Sequence, residues 1–290
     1  MAAPGAYKVL FAYATDGTNG CYSHVLQNEL ATEPGIASIT TFDASTGTPT
    51  VAQLDGYDMV VTISDCDAYW DPATMGDNLA QYAKQGGVVV EYPFGMENSS
   101  PYGLTGAWLS ASPFQPGNNL DNDVTLGTHS SSSPLMAGVS SLGSSSCDTD
   151  PALATGAHSV ALWNTGQQAV AYKGQAIAIN AGVDGSCTFH GDFARLTLNA
   201  VTWRGRHFLK VKRTGKGSGK VTSSPAGITC GKKCSAIYNF GRHVTLTAHV
   251  GHHSKFAGWS GACKGHQKTC KVNMTAAKTV KAAFKRRHHS

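Results

Sequence analysis

Leu79-Ala80-Gln81-Tyr82-Ala83-Lys84-Gln85-Gly86-Gly87-Val88-Val89-Val90-Glu91-Tyr92 carries a helix, its stop and a strand with nothing between them. The helix reads from Asp77 to Gln85, and Gly86-Gly87 ends it, because glycine takes the left-handed turn that closes a helix at little cost. The strand from Val88 is apolar at consecutive rather than alternate positions, the mark of a strand buried on both faces. Upstream, Val9-Leu10-Phe11-Ala12-Tyr13, Ala37 to Phe42 and Met59-Val60-Val61-Thr62-Ile63 read as strands, and Tyr22 to Leu30 as a helix. Downstream, Val160 to Leu162, Ala169 to Tyr172 and Ala176 to Asn180 are strands, and Phe193 to Trp203 is a closing helix. This alternation predicts an α/β fold with a parallel sheet covered on both faces. The serine-rich runs that follow His129 and that span Ser140 to Ser146 read as flexible polar loops.

Near Arg204-Gly205-Arg206 both the period and the charge change. Residues 206–290 hold eighteen Lys and Arg, eight His and no Asp or Glu; residues 1–205 hold all eighteen carboxylates and five basic residues. Formal charges of −13 and +18 therefore stand behind the net +5. In the second part Phe208 to Lys212, His243 to Val250, Lys271 to Met274 and Thr279 to Phe284 alternate apolar with polar residues, as half-buried antiparallel strands do. Three parts follow: an α/β domain over 1–205, a cationic all-β domain over 206–285 and a basic tail over 286–290, with Lys285 to His289 expected to be disordered. No apolar run approaches the roughly 18 residues of a spanning helix.

Eight cysteines are present. Cys230 and Cys234 flank Gly231-Lys232-Lys233, and Cys263 and Cys270 bracket a polar loop. Zinc is the competing reading, but no C-x-x-C pair occurs and the neighbouring lysines would oppose a dication, so disulfides are expected and neither a metal nor a cofactor is. Disulfides and the low charged fraction of 14% point to an extracellular or cell-surface location. Met1-Ala2-Ala3-Pro4-Gly5-Ala6 reads as a mature end with an added methionine.

Lys8-Val9-Leu10-Phe11, Leu26-x-x-x-Leu30, Gly56-Tyr57-Asp58-Met59-Val60-Val61, the Leu79 to Val89 run, Pro134 to Val139 and Gly191-Asp192-x-x-Arg195-Leu196-x-x-Asn199 together resemble the class I glutamine amidotransferase-like fold, especially its ThuA-like branch. The resemblance covers roughly residues 7–204 and implies a nucleophilic cysteine, or in the ThuA-like branch a histidine, just past the strand at Val88 to Glu91. Tyr92-Pro93-Phe94-Gly95 stands there instead, so no catalytic residue is assigned. In a flavodoxin-like parallel sheet the first and third strands are neighbours, which puts Cys21 beside Cys66 and leaves Cys147 to pair with Cys187. Cys66 as a nucleophile, with His24 or His190 as base, is the alternative to a structural half-cystine.

Ligands of open parallel sheets gather at the carboxyl ends of the strands. Those ends supply Asp16, Asp43, Asp65, Asp67, Glu91, His190 and Asp192, with Tyr69 and Trp70 as rings for stacking on a sugar; Asp71-Pro72 alternatively caps the next helix. A calcium loop is incomplete here, and no G-x-S-x-G elbow presents a serine.

Gly217 to Ile228 with Cys230, Cys234-Ser235, Val244 to Ala248, Phe256-Ala257-Gly258-Trp259-Ser260-Gly261-Ala262-Cys263 and Val280-x-Ala282-x-Phe284 closely resemble the bacterial β-repeat module related to internalin B-type repeats. That resemblance implies a small β-grasp-like or sandwich-like fold used as a spacer or binding accessory of exported proteins. Phe256 and Trp259 are expected in its core. Lys210, Lys212, Lys271 and Lys281 alternate with core residues and Lys232 and Lys233 sit on a tight loop, so all six are candidate polyanion contacts. The expected function is noncatalytic binding to an anionic polysaccharide or cell-wall polymer, with nonspecific nucleic-acid binding as another outcome of the same charge. Two alternatives stand: a carbohydrate-active or other hydrolytic enzyme using the strand-end acids, and self-assembly into homo-oligomers through domains of opposite charge.

Overall fold

The computed structural model describes residues 7–14, 24–64, 67–98, 102–120, 122–145, 147–183 and 187–287. The chain divides into two compact units, Met1–Gly205 and Arg206–Ser290.

In the first unit the order is β1 (Tyr7–Ala14), α1 (Val25–Thr32), β2 (Ile36–Asp43), α2 (Val51–Leu54), β3 (Met59–Ser64), α3 (Pro72–Lys84), β4 (Val88–Glu91) and α4 (Trp108–Ala111). Then come β5 (Phe114–Gln115), β6 (Asn119–Leu120), β7 (Val124–His129), a 3-10 turn at Pro134–Met136, β8 (Leu142–Ser145), β9 (Asp148–Thr149), β10 (Ala152–Leu153), β11 (His158–Trp163), β12 (Gln168–Lys173), β13 (Ala176–Ile179), β14 (Thr188–Gly191) and α5 (Phe193–Arg204). Local chemistry fixes α3. Asp71 accepts from the amides of Ala73 and Thr74 at 3.1 and 2.9 Å, Pro72 opens the first turn, and Gly86 just past the end has φ +97°. The helix thus starts five residues before Asp77.

The residues of β3 and β4 are all buried, and their neighbours divide by parity. Val9, Phe11, Val61, Ile63, Val88 and Val90 meet Leu26 and Leu30 of α1 and Leu196, Leu198, Ala200 and Val201 of α5. Leu10, Ala12, Val60 and Val89 meet Met75, Leu79 and Tyr82 of α3 on the other face. Helices therefore cover both faces, as consecutive apolar positions require.

The sheet itself corrects the expectation of an all-parallel arrangement. Its ten strands run in the order β14-β8-β7-β11-β12-β13-β4-β3-β1-β2, and only β13-β4-β3-β1-β2 are mutually parallel. β11, β12 and β13 pair antiparallel because they follow one another through turns too short for a crossover, and β7, β8 and β14 extend the sheet with further antiparallel pairings. Leu142–Ser145, expected in a flexible loop, is a strand paired with β14 and β7. Cys147 and Cys187 form a disulfide across 40 residues. Cys21 and Cys66 lie outside the described residues.

The second unit contains β15 (His207–Thr214), β16 (Gly219–Ser224), β17 (Thr229–Cys230), β18 (Ser235–Tyr238), β19 (His243–Val250), β20 (Ser254–Gly261), β21 (Thr269–Asn273) and β22 (Lys278–Arg286). Two four-stranded sheets, β18-β15-β22-β20 and β17-β16-β19-β21, share one core. Leu209, Val211, Val280, Ala282 and Phe284 come from the first, Val221, Val244, Leu246, Ala248 and Val272 from the second, and Trp259 and partly buried Phe256 pack with them. The architecture is a sandwich with no helix among the described residues, which excludes the β-grasp alternative. Disulfides join Cys230 to Cys234 and Cys263 to Cys270. The expected disorder is corrected for Lys285 to Arg287: Lys285 and Arg286 pair with Lys255 and Ser254, and the Arg287 amide donates to the His253 carbonyl at 2.9 Å, while His288 and His289 lie outside the described residues.

Candidate functional site

Two regions hold the candidate residues. In the first unit, Asp43 ends β2, and its carboxylate accepts from the amide and hydroxyl of Ser45 at 2.9 and 2.6 Å. The Trp70 amide donates to the Ala44 carbonyl at 2.8 Å, which draws the loop after β3 against the end of β2. Asp43, Ser45, Thr46, Asp67, Ala68, Tyr69 and Trp70 line an open groove of about 560 Å³. Trp70 is 69% exposed. Tyr69, expected as a second stacking ring, instead turns inward and lies 2.7 Å from the Thr62 hydroxyl. Asp71 is a helix cap, and the amides and hydroxyl it accepts from hold its carboxyl below the ordinary carboxylate range.

Glu91 is buried at the end of β4. The Ser112 hydroxyl donates to its Oε2 at 2.9 Å. Burial pushes its carboxyl up to about 7, against the Trp108 indole and the Ser112 hydroxyl, which act in the opposite direction. The indole N–H, also buried, makes no hydrogen bond of good geometry. Burial likewise raises the Tyr69 phenol, and the Glu91 charge adds to that. Sequence reasoning found Glu91 as a strand-end acid but missed this enclosure; the signal available was a carboxylate in an otherwise all-valine buried strand. Past it, the Tyr92 hydroxyl lies 2.7 Å from that of Thr197, so Tyr92 is packed into the core.

His190 and Asp192 do not join the strand-end set. Five antiparallel pairings separate β14 from β13, which is parallel to β4, so β14 runs opposite to β4 and its carboxyl end faces the other end of the sheet. The Asp192 carboxylate accepts from the Ser140 amide and hydroxyl, both at 2.8 Å, and from the Ser141 amide at 3.1 Å, which lowers its pKa and ties down a loop. Asp16 and Asp65 lie outside the described residues. Among the described residues no group of three or more His, Cys, Asp or Glu is placed to hold a metal ion.

In the second unit the alternation of β15 and β22 turns Lys210, Lys212 and Lys281 outward, with Lys212 beside Lys281 in register. Lys255 and Lys285 form a second like-charge pair on the same face. Lys271 belongs to the other sheet, whose outer positions include Lys220, Thr222, Thr245, Thr247, His243 and His249. Lys232 and Lys233 are exposed on the Cys230–Cys234 loop. The six candidate lysines are thus spread over two sheet faces and a loop, and none is in an ion pair among the described residues.

An α/β unit with a mixed sheet, followed by a small disulfide-linked β-sandwich, is the class these features define. Residues 209–288 match the family model of the divergent InlB B-repeat domain. The first unit is similar in fold to a ThuA-like protein from Bacteroides uniformis, with 14% identity over 70% of this chain and 94% of that one and a TM-score of 0.51. It is also similar to a cytoplasmic protein from Salmonella typhimurium, with 15% identity over 68% and 99% and a TM-score of 0.50. A glutamine amidotransferase from Thermotoga maritima aligns at 14% identity over 59% and 74% with a TM-score of 0.39. No curated protein matches the chain significantly.

Proposed function

We propose that this is an exported bacterial protein that attaches, without catalysis, to anionic polymers through its second unit. The observation that carries the reading is the set of outward lysines with no Asp or Glu anywhere in residues 206–290 to neutralise them. A surface of this kind gains affinity by releasing the counterions of a polyanion, and lysine contacts read charge density rather than sequence. The three disulfides among the described residues and the B-repeat match support export. Binding of the full chain to heparin, teichoic acid and DNA across a salt series tests the proposal. Affinity should fall at least about tenfold between about 0.1 and 0.4 M salt, and Lys210→Gln/Lys212→Gln/Lys281→Gln should flatten the dependence. Affinity unchanged by salt refutes it.

A further inference from the structure

The two faces of the sandwich carry different chemistry. The exposed large apolar residues of the second unit are Phe208 and Ile237, 55% and 49% exposed. They are register partners on β15 and β18, so they form one patch. The patch shares its face with Lys210, Lys212, Lys281, Lys255 and Lys285. At about 3.3 Å per residue and about 4.8 Å between strands, Phe208 and Lys212 are roughly 13 Å apart and the four strands span roughly 14 Å. The opposite face, with Lys220, Lys271, His243, His249 and its threonines, has no exposed large apolar residue.

A soluble polyanion would explain the lysines of both faces but leave Phe208 and Ile237 in water. An anionic bilayer satisfies both features at once, since its surface presents phosphates over a layer that accepts apolar side chains, and stable attachment needs charge and apolar insertion together. The direct opposition of Lys212 to Lys281 and of Lys255 to Lys285 works against folding unless a negative surface lies across them.

We propose that the outer face of the β18-β15-β22-β20 sheet docks on an anionic lipid bilayer, with Phe208 and Ile237 entering the interface and the five lysines on headgroup phosphates. This narrows the polyanion reading for one face, and its test separates the two. Full-length protein is sedimented with phosphatidylcholine vesicles and with vesicles containing about 30% phosphatidylglycerol, and in parallel is bound to soluble heparin. Only the anionic vesicles should bind. Phe208→Ser/Ile237→Ser should weaken vesicle binding about tenfold or more and leave heparin affinity unchanged, while Lys212→Gln/Lys281→Gln should weaken both, by about fivefold per lysine on vesicles. A Lys271→Gln variant, on the other face, should leave vesicle binding intact. Unchanged melting of each variant shows that folding is retained. Absence of vesicle binding, or vesicle binding indifferent to Phe208→Ser/Ile237→Ser, overturns the lipid proposal, and retained heparin binding then leaves the polymer reading standing. Self-association that the apolar double variant abolishes, without vesicle binding, assigns the patch to protein contact and also overturns it.

Discussion

Glu91 stands 1% exposed at the end of β4, and its titration should set much of the pH dependence of the first unit's stability. Its carboxyl is pushed from an ordinary 4.5 up to about 7, chiefly by burial. The unfolded chain releases this proton near the ordinary value, whereas the folded unit keeps it to near neutrality. Between those values the folded state binds more protons, so stability falls as pH rises. The contribution is fully present below the unfolded value and lost as pH passes through the folded one. A gap of about 2.5 pH units corresponds to roughly 3 kcal/mol at about 1.36 kcal/mol per unit. That is a drop of roughly 6–12 °C in melting temperature for a unit of this size. Glu91→Gln removes the ionisation and keeps an oxygen for the Ser112 hydroxyl. Urea unfolding at several values from about pH 4.5 to about pH 8, followed by tryptophan fluorescence, reads the first unit, which holds four of the five tryptophans. Subtracting the variant from the wild type cancels other titrations far from the site. A difference that stays flat with pH would refute the reasoning.

Replacing Cys147 and Cys187 by Ala should cost the first unit roughly 4 kcal/mol, because the bridge closes a 40-residue loop, and differential scanning calorimetry should show only that unit's transition move. Asp192→Ala frees the amides of Ser140 and Ser141 at an exposed loop, for about 1 kcal/mol at neutral pH. Since that carboxyl is held below its ordinary value, the wild-type advantage should vanish as pH falls through the acid range, opposite in sign to Glu91, and acid titration of the two melting temperatures checks this. Gly76→Ala places a methyl against the Thr105 carbonyl and the Trp108 side chain, where backbone must shift, and should destabilise by roughly 1–3 kcal/mol in urea unfolding. Reducing the two bridges of the second unit should lower its melting temperature more at low salt than at high salt, because its like charges are then least screened.

The parallel half of the sheet was legible because Val9 to Tyr13, Met59 to Ile63 and Val88 to Val90 are apolar in succession. The antiparallel half was misread as parallel, although spacing rather than composition marked part of it. Lys173 pairs with Ala176, leaving Gly174-Gln175 as the whole connection, and a parallel crossover needs about a dozen residues. β8 escaped notice because Leu142 is its sole large apolar residue in a serine-rich run. The candidate site inherited the error: His190 and Asp192 enter a strand-end pocket only if β14 runs with β4. In the second unit alternation located four of the eight strands, β15, β19, β21 and β22, and in β22 it continued through Lys285, where charge density had suggested disorder. The pairing of Phe208 with Ile237 was hidden because it depends on the register between two strands distant in sequence.

The excess of lysine is not a by-product of the β fold. An outward position on a half-buried strand requires a polar residue, and a mixture of signs is the stabilising choice. Positions 210, 212 and 281 are outward in this sense, and the core of Leu209, Val211, Val280 and Phe284 would close equally well behind glutamate or threonine. Eighteen cations with no anion in 85 residues instead load the folded state with self-repulsion, which two short-loop disulfides help to offset by roughly 2 kcal/mol each. A cost imposed at so many positions, with no return inside the unit, points to a requirement outside it. The dense negative surface proposed here supplies one, and it accounts for the sign of the charge as well as for its placement on faces the core leaves free.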